Sequence, residues 1–285
     1  SGNKRIKMTS FRLFLMLFLD QPTTRKFLIG VWVGLAFSIA VILSTIGIMD
    51  GFERALRHGL RSSSGDVTMQ SRNGFFVLDD EIKSELKNEQ ITRYTSLIQT
   101  ESFLIFNDES RGVLIKAIDE NYGKLVDLPL NIAEQSAAIG SEIARLLKIN
   151  VGDDIVLAFG KGGTEFRNMP ALSRFRVERI VTHGVYQKDA RMIYVRKDEL
   201  QRIMGLGQKV NMIALDVDHT GHKGSNDLKL IEDKISELRM RFEPGFYFKP
   251  YWREFASVIE AVQAEKVLIS LILQLIVVIS VFNVL

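Results

Sequence analysis

The uncharged stretch FLIGVWVGLAFSIAVILSTIGIM, Phe27–Met49, decides the fold class. A membrane-spanning helix needs about 20 mainly apolar residues, and this stretch is long enough. A second uncharged stretch, VLISLILQLIVVISVFNVL, covers Val267–Leu285. A buried helix of a soluble protein rarely has this length without a polar face. The sequence therefore predicts two transmembrane helices, over residues 27–49 and 267–285.

A cleaved signal peptide is the alternative for the first stretch. Its apolar core would be shorter, about 7 to 15 residues, and would end in small residues at a cleavage site. The stretch instead passes into MDGFERALRHGL, residues 49–60, which is typical of a continuing helix. We therefore expect a span that is not cleaved.

Flanking charge predicts the orientation of the first span. Asp20 is the only acidic residue before it, whereas the basic residues there are Lys4, Arg5, Lys7, Arg12, Arg25 and Lys26. The positive-inside rule places this end in the cytoplasm. Within residues 1–26, FRLFLMLFLDQP is too short to span, so we expect an interfacial helix that ends near Pro22. The large segment after the first span then lies outside the cytoplasm.

The segment between the spans predicts an α+β domain. TSLIQTESFLIF and RGVLIKAID surround the turn NDES, which favours a hairpin. GDDIVLAF and RFRVERIVTHGVY predict two more strands. SAAIGSEIARLLKI predicts a strand followed by a helix with Ser141 as its N-cap. The predicted fold class is a membrane α-helical protein that carries an α+β domain outside the cytoplasm.

Helix-forming sequence also lies between each span and the domain. We interpret Met49–Leu60 and WREFASVIEAVQAEKV, residues 252–267, as outward extensions of the two spans. Such helical stalks transmit movement better than a flexible linker does. A pair of ordinary juxtamembrane helices is the alternative.

Composition argues against several function classes. A net charge of +3 over 285 residues is too small to indicate nucleic-acid binding, and the lack of cysteine excludes disulfides and thiolate zinc sites. Asp216, Asp218, His219 and His222 are conceivable metal ligands, but their spacing matches no zinc pattern and suits a solvated turn. GKGG, residues 160–163, lacks the spacing of a phosphate-binding loop. We expect no catalytic residue, metal or cofactor in this chain.

The connection GKGGTEFRNMPALSRF, residues 160–175, has an unusual composition for a surface loop. Such connections are usually short and polar. This one alternates apolar and basic side chains around a proline, namely Phe166, Arg167, Met169, Pro170, Leu172 and Arg174. Taken alone, the composition favours a long hairpin whose apolar residues fold back onto the domain. An exposed anchor for a partner is the alternative.

Three segments in chain order carry a family resemblance. STIGIMDGFERALRHGL matches a family motif at Met49, Gly51, Phe52, Glu53 and Leu56, with Asp50 where the motif has asparagine. IGSEIARLLKINVGDDIVL matches at Gly140, Ala144, Leu147, Gly152, Asp153 and Ile155. The C-terminal stretch matches at Trp252, Arg253, Glu254, Ala261, Glu265, Lys266, Phe282 and Asn283. With these motifs the chain resembles the lipoprotein-releasing ABC transporter permeases, the LolC/LolE type of the MacB/FtsX-like superfamily.

The resemblance implies a multi-pass inner-membrane permease with four spans, so that further spans are expected after Leu285. It implies a periplasmic domain in two parts, a Porter-like subdomain over residues 50–130 and 213–251 and a Sabre-like subdomain over 131–212. Residues 252–266 are the second stalk. It further implies that the permease is not an enzyme, and that a cytoplasmic ATPase partner binds ATP and magnesium. The expected function is extraction of lipoproteins and their delivery to a periplasmic carrier.

The resemblance also implies two sites. Residues 160–174 lie where the family has a protruding hook that captures the carrier, with apolar side chains as anchors and arginines facing an acidic rim. Acyl chains need an apolar cleft, and the outer halves of the spans are its expected walls. The expected lining residues are Leu43, Ile46, Met49, Phe52, Val267, Leu271 and Leu275. Helix packing or contact with the bilayer is the alternative for these residues.

Two other functions fit the same topology. A MacB-like efflux or mechanotransmission permease would engage an outer-membrane channel through an adaptor and would need no carrier hook. A membrane sensor with two spans would carry a folded output domain after the second span. The transporter interpretation expects a second permease subunit, identical or homologous, in contact with membrane lipids.

Overall fold

The computed structural model describes residues 22–61, 64–126, 128, 130–160, 171–217 and 227–282. The chain divides into two compact units, Ser1–Arg54 with Ser257–Leu285, and Ala55–Ala256. The first unit contains the apolar parts of two long helices, and every strand in the described ranges belongs to the second. The interfacial helix predicted for the N-terminal segment falls mainly on residues 1–21, which lie outside the described part.

The helices alternate with strands along the domain. The helices are α1 (Pro22–Arg61), α2 (Asp80–Asn88), α3 (Glu120–Val126), α4 (Ser141–Leu147), α5 (Tyr186–Asp189), α6 (Lys197–Met204), α7 (Asp227–Phe242) and α8 (Ala256–Phe282), with a 3-10 turn at Arg253–Phe255. The strands are β1 (Val67–Ser71), β2 (Phe76–Val77), β3 (Arg93–Phe106), β4 (Glu109–Ile118), β5 (Ser136–Gly140), β6 (Asp154–Phe159), β7 (Ala171–Val181), β8 (Met192–Arg196), β9 (Lys209–Val210), β10 (Met212–Asp216) and β11 (Phe246–Pro250).

Both predicted spans lie in helices that are long and apolar enough to cross a membrane. The qualifying segments are Trp32–Arg61, with mean hydropathy 2.1, and Ala256–Ile279, with mean hydropathy 2.0. Neither apolar window is buried against the rest of the chain. Apolar helices that remain uncovered need lipid or another protein around them, unlike the core helix of a soluble protein. Helix α1 continues without interruption past the end of its apolar stretch to Arg61.

Strand β3 takes part in two different layers of the domain. Its first residues pair with β10 in an antiparallel sheet of order β11-β1-β10-β3. Its remaining residues pair with β4 and with β6. The order β3-β4-β8-β5-β7-β6 therefore returns to β3, which closes a six-stranded barrel. Because closure removes the free edges of the sheet, the barrel has no unpaired edge strand along this ring.

The barrel interior is the larger of the hydrophobic cores. Inward-facing residues of every strand contribute to it, including Leu104, Ile155 and Val177. Phe159 and Phe175 meet edge to face across neighbouring strands, with ring centroids 6.4 Å apart, a favoured geometry for aromatic pairs. A second cluster, which contains Leu97 and Met212, lies where β3 leaves the barrel and joins the open sheet.

The hairpin predicted around NDES is confirmed. Strands β3 and β4 pair from Phe106↔Glu109 to Ile98↔Ala117. Asn107 and Asp108 form the turn with φ of 47° and 64°, the left-handed conformation that a type I′ hairpin turn requires at both central positions. Asparagine and aspartate adopt this conformation more readily than other residues with a side chain.

The helix start predicted at Ser141 is shifted by one position. Helix α4 begins at Ser141, but the N-cap is Gly140, which makes no side-chain capping bond. A side chain at position 140 would meet the backbone of Asp189, since a Cβ there would lie 2.2 Å from its carbonyl oxygen. Close packing of two backbones therefore takes precedence over a capping hydroxyl at this position.

The subdomain boundaries inferred from the resemblance remain a prediction.

The β3–β4 turn gives a test of the register. Asp108→Gly is expected to leave stability unchanged or raise it by up to ~1 kcal/mol, because glycine has no steric cost at positive φ. Asp108→Val is expected to lower stability by more than that, because a β-branched residue is a genuine outlier there. Thermal unfolding of the detergent-solubilised protein measures both. An unchanged melting temperature for Asp108→Val would contradict the turn assignment.

Candidate functional site

The predicted hook is only partly within the described residues. Phe166, Arg167, Met169 and Pro170 lie outside them. Strand β7 begins at Ala171, which pairs with Phe159. Leu172 and Arg174 are therefore strand residues, and the connection expected over 160–174 ends earlier than its composition indicated. The reason is that LSRFRV continues the inside–outside alternation of a strand, with Phe175 and Val177 buried.

An exposed apolar row lies at the base of this connection. Ala158 on β6 pairs with Phe103 on β3 on one side and with Leu172 on β7 on the other. Phe103 is 59% exposed and Leu172 is 61% exposed. Residues directly opposite one another in a sheet lie on the same face, so the three side chains share the outer surface of the barrel. Phe103 could not be singled out from sequence patterns, because its pairing with β6 is long-range.

The surroundings of Arg174 are polar. A groove between β5, β6, β7 and α6 is lined by Glu134, Gln135, Ser136, Asp154, Ser173, Arg174, Arg176, Glu199, Arg202 and Ile203. Arg202 pairs with Glu134 at 2.6 Å, and Arg174 lies 4.0 Å from Asp154. Burial raises the pKa of the Glu199 carboxyl, which accepts a hydrogen bond from the backbone of Gln135. This mixture of both charges does not suit an acyl chain.

A buried polar network lies where α1 ends against the barrel. His183 Nδ1 lies 2.6 Å from Asp189 Oδ1, and His183 Nε2 lies 2.7 Å from the Tyr194 hydroxyl. Carboxylates only accept hydrogen bonds, so Nδ1 donates to Asp189. The backbone of His183 also donates to Asp189, at 2.9 Å. Burial raises the pKa of the Tyr194 hydroxyl well above its usual value.

The network touches the last turn of α1. Gly59 lies so close to the His183 carbonyl oxygen that a Cβ would come within 2.3 Å of it. The buried Lys188 donates from Nζ to the Leu60 carbonyl oxygen at 3.2 Å and to Ser64 Oγ at 3.4 Å. A cation at the carbonyl end of a helix is favourable, because the helix dipole is negative there.

Lys188 also contacts the segment that leads to α8. Its Nζ lies 5.9 Å from the centre of the Phe255 ring, within the range of a cation–π contact. Lys188 thus contacts both Leu60, near the end of α1, and Phe255, just before α8. All three residues belong to the second compact unit. Sequence patterns do not single out His183, Lys188 and Tyr194, because THGVYQKDARMIY contains polar residues that usually lie at the surface.

The residues predicted to line an acyl-chain cleft lie on the two apolar helices. Leu43, Phe52, Val267, Leu271 and Leu275 are all more than half exposed. Ile46 and Met49 are partly covered. Asp50 and Lys266, which immediately adjoin the two uncharged stretches, form an ion pair between the helices. Both helices therefore carry uncovered apolar side chains, and the Asp50–Lys266 ion pair lies next to them in sequence.

The conceivable metal site falls mostly outside the described residues. Asp218, His219 and His222 lie in the segment 218–226 that the structure does not describe. Asp216 is a buried residue of β10, and its carboxylate pairs with Arg93 at 2.9 Å. Within the described ranges no group of three or more potential metal ligands is present.

Two curated proteins are similar to this chain along most of its length. It is 21% identical over 265 residues to the lipoprotein-releasing system transmembrane protein LolC of Xylella fastidiosa strain Temecula1. The aligned residues cover 88% of this chain and 61% of that protein. The LolC protein of strain 9a5c is 20% identical with the same coverage. The chain thus spans less than two thirds of the length of these relatives. No family model matches the sequence.

Two solved structures also match the chain. The periplasmic region of MacB from Actinobacillus actinomycetemcomitans aligns with a TM-score of 0.40 and 14% identity, over 67% of this chain and 91% of that one. The extracellular domain of the noncanonic ABC-type transporter YknZ from Gram-positive bacteria aligns with a TM-score of 0.39 and 11% identity, over 65% and 100%. The curated matches confirm the resemblance to LolC-type permeases that the three motifs indicated.

The buried network gives a test of packing at the end of α1. Tyr194→Phe is expected to lower the stability of the protein by about 1–3 kcal/mol, because it leaves the buried His183 Nε2 without its hydrogen-bond partner. The expected decrease in melting temperature is a few degrees for a domain of this size. Tyr186→Phe is the matched control, since Tyr186 is 56% exposed. Equal melting temperatures for the two variants would show that the hydroxyl of Tyr194 contributes nothing.

Proposed function

We propose that this chain forms part of the permease subunit of an ABC transporter that extracts lipoproteins from the bacterial inner membrane and passes them to a periplasmic carrier. The observation that carries the proposal is the similarity to two proteins named LolC over 88% of the chain. Two uncovered apolar helices, one before and one after the folded domain in sequence, support it. A permease of this kind is not an enzyme, and ATP is bound and hydrolysed by a separate cytoplasmic subunit.

Each part of the chain then has a role. The N-terminal end is cytoplasmic, and the domain Ala55–Ala256 is periplasmic. The apolar surfaces of α1 and α8, together with those of a second permease subunit, provide the environment that acyl chains require. Leu43, Leu271 and Leu275 are the exposed residues best suited to contact them.

The connection after β6 is the proposed contact for the carrier. Phe166, Met169 and Leu172 act as apolar anchors, and Pro170 restricts the free loop, which lowers the entropy lost on docking. Phe103 extends the apolar surface beside Leu172, because both flank Ala158 on the outer face of the barrel. Arg167 and Arg174 provide positive charge for an acidic rim on the carrier.

In this proposal, movement of α1 and α8 is transmitted to the domain through the helix ends that adjoin it. Helix α1 continues as one element to Arg61. Lys188 holds the carbonyl of Leu60 at the end of that helix and lies over the ring of Phe255. A change in the helices driven by the ATPase partner would therefore act on the loop 183–190 and, through β8, on the barrel.

A binding measurement tests the carrier contact. The triple variant Phe166→Ala, Met169→Ala, Pro170→Ala in the purified permease–ATPase complex is expected to bind immobilised carrier at least about tenfold more weakly, since central interface residues often cost 2 kcal/mol or more. The matched control is Val77→Ala, Leu230→Ala, Met240→Ala, because these side chains are also apolar and exposed. It is expected to bind like the unmodified complex.

Two outcomes would contradict this proposal in different ways. Unchanged affinity in the first triple variant would place the carrier contact elsewhere on the domain. Undetectable binding by the unmodified complex would remove the carrier from the proposal, as expected of a permease that works through an adaptor and an outer-membrane channel.

A further inference from the structure

Strand β7 has two neighbours in the barrel, but it extends beyond one of them. It pairs with β6 from Ala171 onward and with β5 only from Arg176 onward. The segment 171–175 therefore has a partner on the β6 side and, among the described residues, no strand on the other side. Such an open edge presents backbone donors and acceptors to its surroundings.

The hydrogen bonds of the ladder show which backbone groups face the open side. Val177 donates from its N–H toward β6, to the Asp153 carbonyl oxygen at 2.8 Å, whereas Arg176 donates to the opposite side at 2.9 Å. In an antiparallel pair, alternate residues bond to the partner and the residues between them face away. Leu172 and Arg174 therefore direct their N–H and C=O groups away from β6. In the described part of the chain, these four groups form no hydrogen bond to another backbone group.

The charged groove at β7 lies on this open side. Its volume is about 780 Å³, and its lining includes Ser173, Arg174 and Arg176 of β7, Ser136 at the start of β5, and Ile203 of α6. A volume of this order is typical of ligand pockets and is sufficient for a short extended segment. Space and unpaired backbone groups thus occur together along residues 172–174.

Positive charge is available beside the open edge. Among the acidic residues of the groove, Glu134 pairs with Arg202 at 2.6 Å, and Glu199 accepts a backbone hydrogen bond at 3.0 Å. Arg174 instead lies 4.0 Å from Asp154, and its side chain is 75% exposed. This separation is longer than a hydrogen bond, so the Arg174 guanidinium group can accept a closer acidic partner.

Charge also distinguishes between two possible occupants of the edge. A second copy of β7, paired edge to edge, would place the arginines of both copies close together on one face of the sheet, and like charges in such positions are destabilising. An extended segment with acidic side chains would place them on the same face as Arg174 and Arg176, both of which are exposed. Opposite charges across two strands stabilise their pairing.

We propose that the open edge of β7 binds an extended acidic segment of a partner protein, which adds to the barrel as a short strand beside residues 172–174. Backbone hydrogen bonds provide affinity, and Arg174 and Arg176 select acidic side chains at alternate positions of the incoming strand. Binding at this edge goes beyond the proposed transport function and does not depend on it, because strand addition requires only the folded domain.

A defined peptide tests the strand addition. The probe is the fluorescein-labelled heptapeptide Thr-Val-Glu-Val-Glu-Val-Thr, and its affinity for the purified full permease complex is measured by fluorescence anisotropy. The same peptide, methylated at the backbone nitrogens of its five central residues, keeps its charge and is expected to bind about tenfold more weakly, because at least two hydrogen bonds are lost. Equal affinity of the two peptides, or no binding of the unmethylated one, would overturn the proposal.

Charge reversal tests the role of Arg174. Arg174→Glu is expected to weaken binding of the acidic peptide about fivefold and to favour a peptide with lysine in place of both glutamates. Arg239→Glu is the matched control, since Arg239 is an exposed arginine of α7 and the change in net charge is the same. It is expected to bind the acidic peptide like the unmodified complex. Equal effects of the two substitutions would show that only net charge matters and would overturn the assignment to β7.

Amide hydrogen exchange locates the contact. Saturating acidic peptide is expected to slow exchange in residues 171–176 about tenfold and to leave α7 unchanged. Exchange in 171–176 that does not change, or dimers of the complex that the peptide dissociates, would overturn the proposal, and the second result would assign the edge to another copy of this chain. None of these measurements uses carrier or lipoprotein, so their failure is distinct from failure of the transport function.

Discussion

Two helical surfaces without a single charged side chain cannot remain in water, and this constraint governs the rest of the molecule. The apolar windows of α1 and α8 are not buried within the chain, so lipid or another subunit must cover them. The strand-containing unit Ala55–Ala256 lies between them in sequence. Each end of the domain therefore continues in sequence into a long apolar helix, as the proposed permease function requires.

Strand β3 connects the open sheet of the domain to its barrel. One half of the strand belongs to the open sheet and the other half to the closed barrel, so neither layer can form without it. The barrel then presents the β6–β7 connection and the row of Phe103, Ala158 and Leu172 on one side. The loop 183–190 of the same barrel receives the end of α1, with Lys188 as the contact. The proposed carrier contact and the proposed point of force transfer are thus parts of one packed body.

Local patterns were sufficient to predict the two long apolar helices and the β3–β4 hairpin. Uncharged length identifies a span, and the residues NDES provide the left-handed turn at Asn107 and Asp108. The closure of β3 on β6 was not predictable, because alternation indicates that a strand has two faces and does not indicate its partner. Phe103 was missed for that reason. Lys188 was missed because a lysine in a polar turn is normally exposed. Its burial depends on the long-range contact with the Leu60 carbonyl oxygen at the end of α1.

ATP-dependent transfer of a lipoprotein from proteoliposomes to a soluble carrier tests the proposed function most directly. The vesicles contain the full permease and its ATPase partner, with an acylated lipoprotein or its non-acylated form as cargo. We expect transfer of the acylated cargo only when both ATP and the carrier are present, and no transfer when either is left out. Hydrolysis of ATP with no transfer to the carrier would contradict it.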